Sequence, residues 1–334
     1  MNAIAKLPAV DFSLVIPCFN EAESLPELYR QITAVMARMQ KGYEIIFVDD
    51  GSTDESAQVI EALNRSDDRV KLIQFSRNYG KSAALAAGFR AVSGRYVVTM
   101  DSDLQDDPEE IPRLLEKLES GFDLVSGWKK VRHDPLTKRL ASKVYNYFTS
   151  IFSGIRLHDF NCGLKIYRRE VIASMRVYGE LHRYLPVIAF RNGFRVTELP
   201  VRHHARQYGV SKFGMARFAR GAFDLMTISF LTRYKMRPLH LFGVIGFICF
   251  LGGFFISLLL AYERLFENKY LSNRPLLFLG VLLIIVGVQF FSIGLLGEMI
   301  TSLRKESDAF LVRRCIGCPE KFTRTTLDDH FFAA

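Results

Sequence analysis

Short apolar runs alternate with helical stripes over the first 126 residues of the chain. Phe12–Ile16, Glu44–Val48, Val70–Phe75, Tyr96–Met100 and Phe122–Ser126 are each four to seven residues long, mostly β-branched or aromatic, and read as buried strands. Between them lie stripes with helical spacing. Leu25, Leu28, Ile32, Val35, Met36 and Met39 form one, starting near Ser24 and stopping at Gly42. Ala57, Ile60 and Leu63 form the next, capped by Ser52 or Asp54. An alanine-rich helix runs from Ser82 to Gly94, and another covers Pro108–Leu118. Strand–helix alternation of this kind predicts an open, mostly parallel α/β sheet.

Farther on, Lys138–Phe152 reads as a helix, Leu164–Tyr167 as a strand, and the region near Arg195–Leu199 as another strand. The pattern then changes. Residues 213–237 mix Arg217, Arg220 and Arg233 with Phe213, Phe218, Phe223, Met226 and Leu231, which suits an amphipathic helix at a membrane interface. Leu239–Tyr262 contains no Asp, Glu, Lys or Arg, and Leu276–Met299 contains only Glu298. Each run exceeds the roughly 20 residues that span a bilayer. The expected organisation is a sheet domain over 1–212, interface helices over 213–237, two spans within 238–300 and a tail over 301–334.

Charge divides the chain further. The net charge of +9 is −8 over residues 1–126, +16 over 127–238 and +1 over the rest. The basic middle could face nucleic acid, a phosphate-bearing substrate or an anionic membrane. The adjoining spans, and the lack of a nucleic-acid-binding module, argue against nucleic acid. Arg233, Lys235 and Arg237 precede the first span, and Arg304, Lys305, Arg313 and Arg314 follow the second. That bias puts both termini on the cytoplasmic side. Five scattered cysteines make no disulfide framework and fit a reducing compartment. Cys315-Ile316-Gly317-Cys318 is a single Cys-x-x-Cys, short of a zinc set. Met1–Asp11 is too short and mixed for a signal peptide.

Ligands of open α/β sheets sit outside the carboxyl ends of the strands. Pro17–Glu21, Asp49–Asp54, Ser76–Lys81 and Asp101–Gln105 all follow such ends. Asp101 and Asp103 are two residues apart, so a continued strand would aim both at one hard cation; the bland alternative is an ordinary turn. Neither a Gly-x-Gly-x-x-Gly nor a P-loop follows the first strand. A bound phosphate would then rely on a metal and cationic side chains. His203 and His204 are adjacent and point apart on any regular element, which does not suit a shared metal.

Val15–Glu21, Val48–Asp54, Arg77–Lys81, Asp101–Pro108 and Gly209–Lys212, taken in order, resemble the family 2 glycosyltransferases of the GT-A fold. With two C-terminal spans, the chain is similar to the bacterial polyprenyl-phosphate glycosyltransferases over about residues 12–305. The resemblance implies an inverting transfer of sugar from a nucleotide-sugar, UDP- or GDP-linked, to polyprenyl phosphate in the inner (plasma) membrane. It also implies Mg²⁺ or Mn²⁺ as cofactor and a homo-oligomer, tetrameric in some members. By the same resemblance, Pro17, Phe19, Glu21, Asp49, Asp50, Lys81, Asp101 and Ser102 would bind the nucleotide-sugar. Asp101, Asp103 and Gln105 would hold the metal. Lys129, Arg132, Arg139, Ser142, Arg206, Ser211 and Lys212 would meet the lipid phosphate or the diphosphate. Asp103 and Asp159 would be catalytic, Asp159 as a base or as a sugar-orienting group. Gly127-Trp128-Lys129 departs from the family's Gly-x-Arg, which keeps a charge but loses the guanidinium fork. The Gln-x-x-Arg-Trp of processive polysaccharide synthases is absent, and a non-catalytic scaffold or a flippase fits poorly with intact acidic residues and only two spans.

Overall fold

In the computed structural model, the described residues are 10–130, 146, 149–150, 153–175, 181–204, 238–267, 270, 274–303 and 310–318. The chain divides into a sheet unit, Met1–Leu225 with Asp308–Ala334, and a helical unit, Met226–Ser307.

The sheet unit contains β1 (Phe12–Cys18), α1 (Leu25–Met39), β2 (Tyr43–Asp49), α2 (Ser56–Ser66), β3 (Val70–Phe75), α3 (Lys81–Ala91) and β4 (Tyr96–Thr99). A 3₁₀ turn at Pro108–Glu110 leads into α4 (Ile111–Glu119), followed by β5 (Leu124–Lys129), β6 (Lys165–Arg168) and α5 (Arg169–Ser174). A second 3₁₀ turn, Leu181–Tyr184, precedes α6 (Leu185–Arg191) and β7 (Val196–Val201). The last strand, β8 (Val312–Ile316), comes from the far end of the chain.

The strand order is β7-β5-β6-β4-β1-β2-β3-β8. β1 pairs in parallel with β2 and with β4, β2 with β3, and β5 with β7. β6 runs antiparallel between β4 and β5, and β8 runs antiparallel along the outer edge of β3. The mostly parallel sheet expected from the pattern is therefore present, with two reversed strands that the pattern did not signal.

Alternation along each strand sends side chains to two cores. Leu14, Ile16, Ile45 and Phe47 pack with Leu25, Leu28, Ile32 and Met36 of α1 and Leu114 of α4. Val15, Ile46, Val48 and Val97 pack on the other face with Ala84, Leu85 and Ala87 of α3. The small alanines let α3 lie close against the sheet.

Three boundaries differ from the sequence reading. α1 ends at Gln40, which adopts a left-handed conformation at φ 52° and donates its N–H to the Ala37 carbonyl, so Gly42 is not the stop. α2 is capped by Glu55 with no side-chain cap hydrogen bond, so neither Ser52 nor Asp54 is its N-cap, although Asp54 accepts from the Ser56 N–H at 3.0 Å. The sequence reads 301–334 as a tail, yet Val312–Ile316 joins the sheet. There Phe310 stacks on Phe75 with centroids 5.0 Å apart, and Arg314 pairs with Glu61 of α2. Cys315 and Cys318 are joined by a disulfide at the end of this strand; Cys18, Cys162 and Cys249 are free.

At the amino ends of β1, β2 and β3 lies a closed polar network. Glu44, 2% exposed, accepts from the Ser13 hydroxyl, from the Ser93 N–H and hydroxyl at 2.7 and 2.8 Å, and from the Lys71 ammonium.

The helical unit holds α7 (Pro238–Phe266) and α8 (Pro275–Leu303). Phe242–Phe266 and Pro275–Gly297 are long and apolar enough to cross a membrane. Phe247, Ile248, Phe255 and Phe278 on these helices are more than half exposed, as suits a lipid-facing surface. The two helices meet through small residues: a Cβ on Gly246 would lie 2.6 Å from the Gly287 carbonyl, and one on Gly253 would lie 2.5 Å from that of Gly280. Such contacts let apolar helices approach closely where no hydrophobic drive separates lipid from protein. The expected interface helix over 213–237 lies outside the described residues.

Candidate active site

Loops at the carboxyl ends of β1 to β4 meet on one rim and are cross-braced. The Asn20 N–H donates to the Ser52 hydroxyl at 2.9 Å, and the Asn20 side-chain carbonyl accepts from the Thr53 N–H at 2.8 Å. The Glu21 N–H donates to the Ser56 hydroxyl at 2.9 Å. Pro17, Phe19 and Glu21 all stay partly exposed along this rim.

Asp49 and Asp50 behave differently from their neighbours. Asp49 has no exposed surface; it accepts from the Ser52 N–H at 3.0 Å and from the Gln74 amide at 3.2 Å. Asp50 is 5% exposed and accepts from the N–H groups of Tyr79 and Gly80 at 2.7 and 2.9 Å. Burial pushes the Asp50 carboxyl up, against the pull of those two hydrogen bonds. The sequence reading gave this pair to the nucleoside. As placed, both carboxylates are buried; Asp49 ties the β2 loop to β3 itself and Asp50 ties it to the loop after β3.

The β4 loop carries the acidic residues. β4 ends at Thr99, so Asp101 and Asp103 stand on a turn rather than on a continued strand, and the two-residue alternation argument does not apply to them. Leu104, at φ 59°, reverses the chain, and the Asp103 carboxylate accepts from the Gln105 N–H at 3.3 Å. The Gln105 carbonyl accepts from the His204 N–H at 3.0 Å, and Asp107 pairs with the His204 ring at 3.2 Å. The Asp101 side chain is 31% exposed and pairs with the Lys81 ammonium. Burial would raise its pKa, but Lys81, with Lys129 and Lys165 behind it, holds the carboxyl well below the usual carboxylate range. The opposite wall is Gly163, where a Cβ would lie 2.6 Å from the Asp101 carboxyl carbon. Only glycine leaves that carboxylate its place. Ser102 and Asp103 are 6% and 9% exposed. Among the described residues, no group of three or more His, Cys, Asp or Glu gathers as a metal centre.

Behind this carboxylate the reversed strand β6 contributes a buried layer. The Thr99 hydroxyl donates to the Gly163 carbonyl at 2.9 Å, and the Lys165 ammonium donates to the Cys162 carbonyl. Burial pushes the Cys162 thiol up to about 12 and pulls the Lys165 ammonium down. Lys129 was expected at the lipid phosphate. Its side chain is 12% exposed and its ammonium lies 3.0 Å from Asp106. Burial alone would lower its pKa, but Asp106 raises it instead. The charge that replaces the family's arginine is thus an internal one. Asp159 was expected as a base or sugar-orienting group. It is fully buried and accepts from the Asn161 N–H at 3.0 Å and the Lys129 N–H at 3.4 Å. In that position it braces the chain entering β6. Arg132, Arg139, Ser142, Arg206, Ser211 and Lys212 lie outside the described residues.

The sequence reading missed a further group. His182 and Arg183, on the turn before α6, line the same cleft as Pro17, Lys81, Asp101 and Asn161. The His182 N–H donates to the Ser82 hydroxyl at 3.0 Å, and that hydroxyl meets the ring Nδ1 at 2.9 Å. Burial first, and then the charges of Lys81 and Arg183, hold the His182 ring well below its ordinary pKa and so neutral at pH 7. With Ser82 accepting from the backbone, its own proton is the one available to Nδ1. No local pattern marks these residues; only the fold brings positions 82 and 182 together.

Comparison with known proteins fits this arrangement. Residues 13–176 match the family model described as glycosyl transferase family 2. The dodecaprenyl-phosphate galacturonate synthase of Rhizobium johnstonii is 37% identical over 316 residues, covering 92% of this chain and 93% of that protein. The undecaprenyl-phosphate 4-deoxy-4-formamido-L-arabinose transferase of Salmonella dublin is 39% identical over 295 residues, covering 88% and 89%. Among solved structures, glucosyl-3-phosphoglycerate synthase from Mycobacterium tuberculosis in complex with UDP aligns with TM-score 0.50 and 20% identity over 67% of this chain and 80% of that one. That last likeness is one of fold, the GT-A arrangement.

Proposed function

The chain belongs to glycosyl transferase family 2, and from that premise we propose that it moves a sugar from a nucleotide-sugar to polyprenyl phosphate with inversion at the anomeric carbon. The observation that carries this reading is the extent of the similarity. Relatives named for polyprenyl-phosphate sugars match 88–92% of the chain, the two apolar helices included, and not the sheet alone. The enzyme would work at the inner membrane with its sheet unit and both termini on the cytoplasmic side, as a homo-oligomer.

Asp101, Asp103 and Gln105 would hold Mg²⁺ or Mn²⁺. The donor set fits such an ion: Asp101 is kept ionised and a third exposed, and hard cations of this type take one or two protein carboxylates and fill the rest with water and phosphate oxygens. When bound, the metal would neutralise charge on the leaving diphosphate. Pro17, Phe19 and Glu21 would line the nucleoside, while Asp49 and Asp50 keep the loops around it in register. The acceptor is a phosphate monoester with a second pKa of about 6, so it is mostly dianionic at neutral pH and needs no base to become nucleophilic. A buried, bracing Asp159 is consistent with that chemistry.

The test is direct. Membranes containing the protein are incubated with polyprenyl phosphate and a panel of radiolabelled UDP- and GDP-sugars. One donor should yield a solvent-extractable, mild-acid-labile lipid-linked sugar. If no donor labels the lipid, the acceptor reading is wrong.

A further inference from the structure

Three cations act on Asp101, a fourth lines the same cleft, and the three are already engaged. Lys81 pairs with Asp101, Lys129 pairs with Asp106, and the Lys165 ammonium donates to the Cys162 carbonyl. The fourth, Arg183, lines the same cleft, is half-buried, and has no carboxylate paired with it among the described residues. A guanidinium held partly out of water without a counter-charge is costly unless an anion arrives. Its fork of N–H donors matches the oxygens of a phosphate.

The placement of Arg183 is also built, not incidental. α3 begins Lys81-Ser82, and these consecutive residues do two separate jobs. Lys81 fixes Asp101, and Ser82 fixes His182 at both its backbone N–H and its ring. The first turn of α3 therefore sets the spacing between the acidic loop and the residue that precedes Arg183.

We propose that Arg183 binds a substrate phosphate in this cleft and that Ser82, acting through His182, positions it. The idea rests on the transfer reading given above and names a residue which that reading leaves out. Two substrates carry the chemistry: the acceptor's monophosphate and the donor's diphosphate.

The experiment uses the full-length protein in membranes or detergent, with Arg183→Ala, Arg183→Lys, Ser82→Ala and the Ser82→Ala/Arg183→Ala double variant. KM is measured for polyprenyl phosphate and for the nucleotide-sugar, and affinity is measured for the free nucleoside diphosphate. Losing a hydrogen bond to a charged group predicts a rise of about 10- to 100-fold for Arg183→Ala on one phosphate substrate. A higher acceptor KM with unchanged nucleoside-diphosphate affinity assigns Arg183 to the acceptor. Weaker nucleoside-diphosphate binding assigns it to the donor. Arg183→Lys should recover part of the loss. Ser82→Ala should raise the same KM by a smaller factor and add nothing in the Arg183→Ala background. Both KM values and the nucleoside-diphosphate affinity staying within about twofold of wild type in Arg183→Ala would overturn the proposal. A full additional effect of Ser82→Ala in the double variant would overturn its positioning half. A wild-type protein that transfers no sugar to lipid would instead refute the wider transfer reading, and the nucleoside-diphosphate binding arm would still report on Arg183.

Discussion

Two lysine–carboxylate pairs, one at each end of the sheet's parallel strands, are built to opposite ends. At the amino ends, Glu44 is 2% exposed and every contact it makes is to protein: Ser13, Ser93 and Lys71. At the carboxyl ends, Asp101 pairs with Lys81, and each of those side chains is about one-third exposed. The first pair is sealed by hydroxyls and an amide. The second is left open on one side, with a glycine wall and a row of further cations behind it. Identical charges thus serve cohesion in one place and keep an ionised carboxylate available in the other.

Breaking the open pair should have the largest effect on turnover. Asp101→Asn, and Asp103→Ala at the neighbouring expected metal ligand, are each expected to lower transfer on the order of 10³-fold or more, the scale for losing a preorganised electrostatic group. The melting temperature should barely move, and chelation should reproduce the loss in the wild type. Breaking the sealed pair should do the reverse. Glu44→Ala leaves the Lys71 ammonium and two serine hydroxyls without their acceptor, and should cost about 3–5 kcal/mol in denaturant titrations. KM and kcat per folded molecule should stay near wild type.

Acidification sharpens the contrast. Burial would raise the Glu44 pKa, but its bonds from Lys71, Ser13 and Ser93 bring it below the ordinary carboxylate value. A depressed folded-state pKa means that stability from this group is fully present above the unfolded value of about 4.3 and is lost as pH falls through the folded value. Glu44→Gln should therefore narrow its stability deficit as the titration moves from pH 7 toward pH 3. A deficit that stays constant over that range would show that the carboxylate's charge is not what the network uses. The exposed pair Arg314–Glu61 supplies the baseline. With its arginine half exposed, Arg314→Ala should cost no more than about 1 kcal/mol and leave kinetics unchanged.

What the sequence disclosed follows from the range of the interactions involved. β1 to β4 and their loops were legible because each is a contiguous apolar run ending in polar residues, and the parallel order of such units follows from their helical connections. The acidic loop was legible as a cluster, but its geometry was not: β4 ends at Thr99 and the chain reverses at the left-handed Leu104, and no residue type there demands it. The burial of Asp159 and Lys129, and the pairing of Lys129 with Asp106, could not be read from the sequence, because burial is a property of the packed fold. Ser82 and His182 are 100 positions apart and carry no periodic signal. β8 was missed for the same reason, since Val312–Ile316 follows two long apolar helices and has only five residues of its own.

That strand also bears on the order in which the molecule can be made. β8 pairs antiparallel with β3, with Leu72 opposite Ile316 from the far end of the chain, and among the described residues β3 has no other partner on that side. Until the ribosome has released Val312–Ile316, β3 presents an open edge, and open edges invite pairing with the wrong chain. By then both apolar helices have already emerged. The sheet is therefore completed only after the apolar helices have been synthesised, which ties completion of the sheet unit to the insertion of those helices.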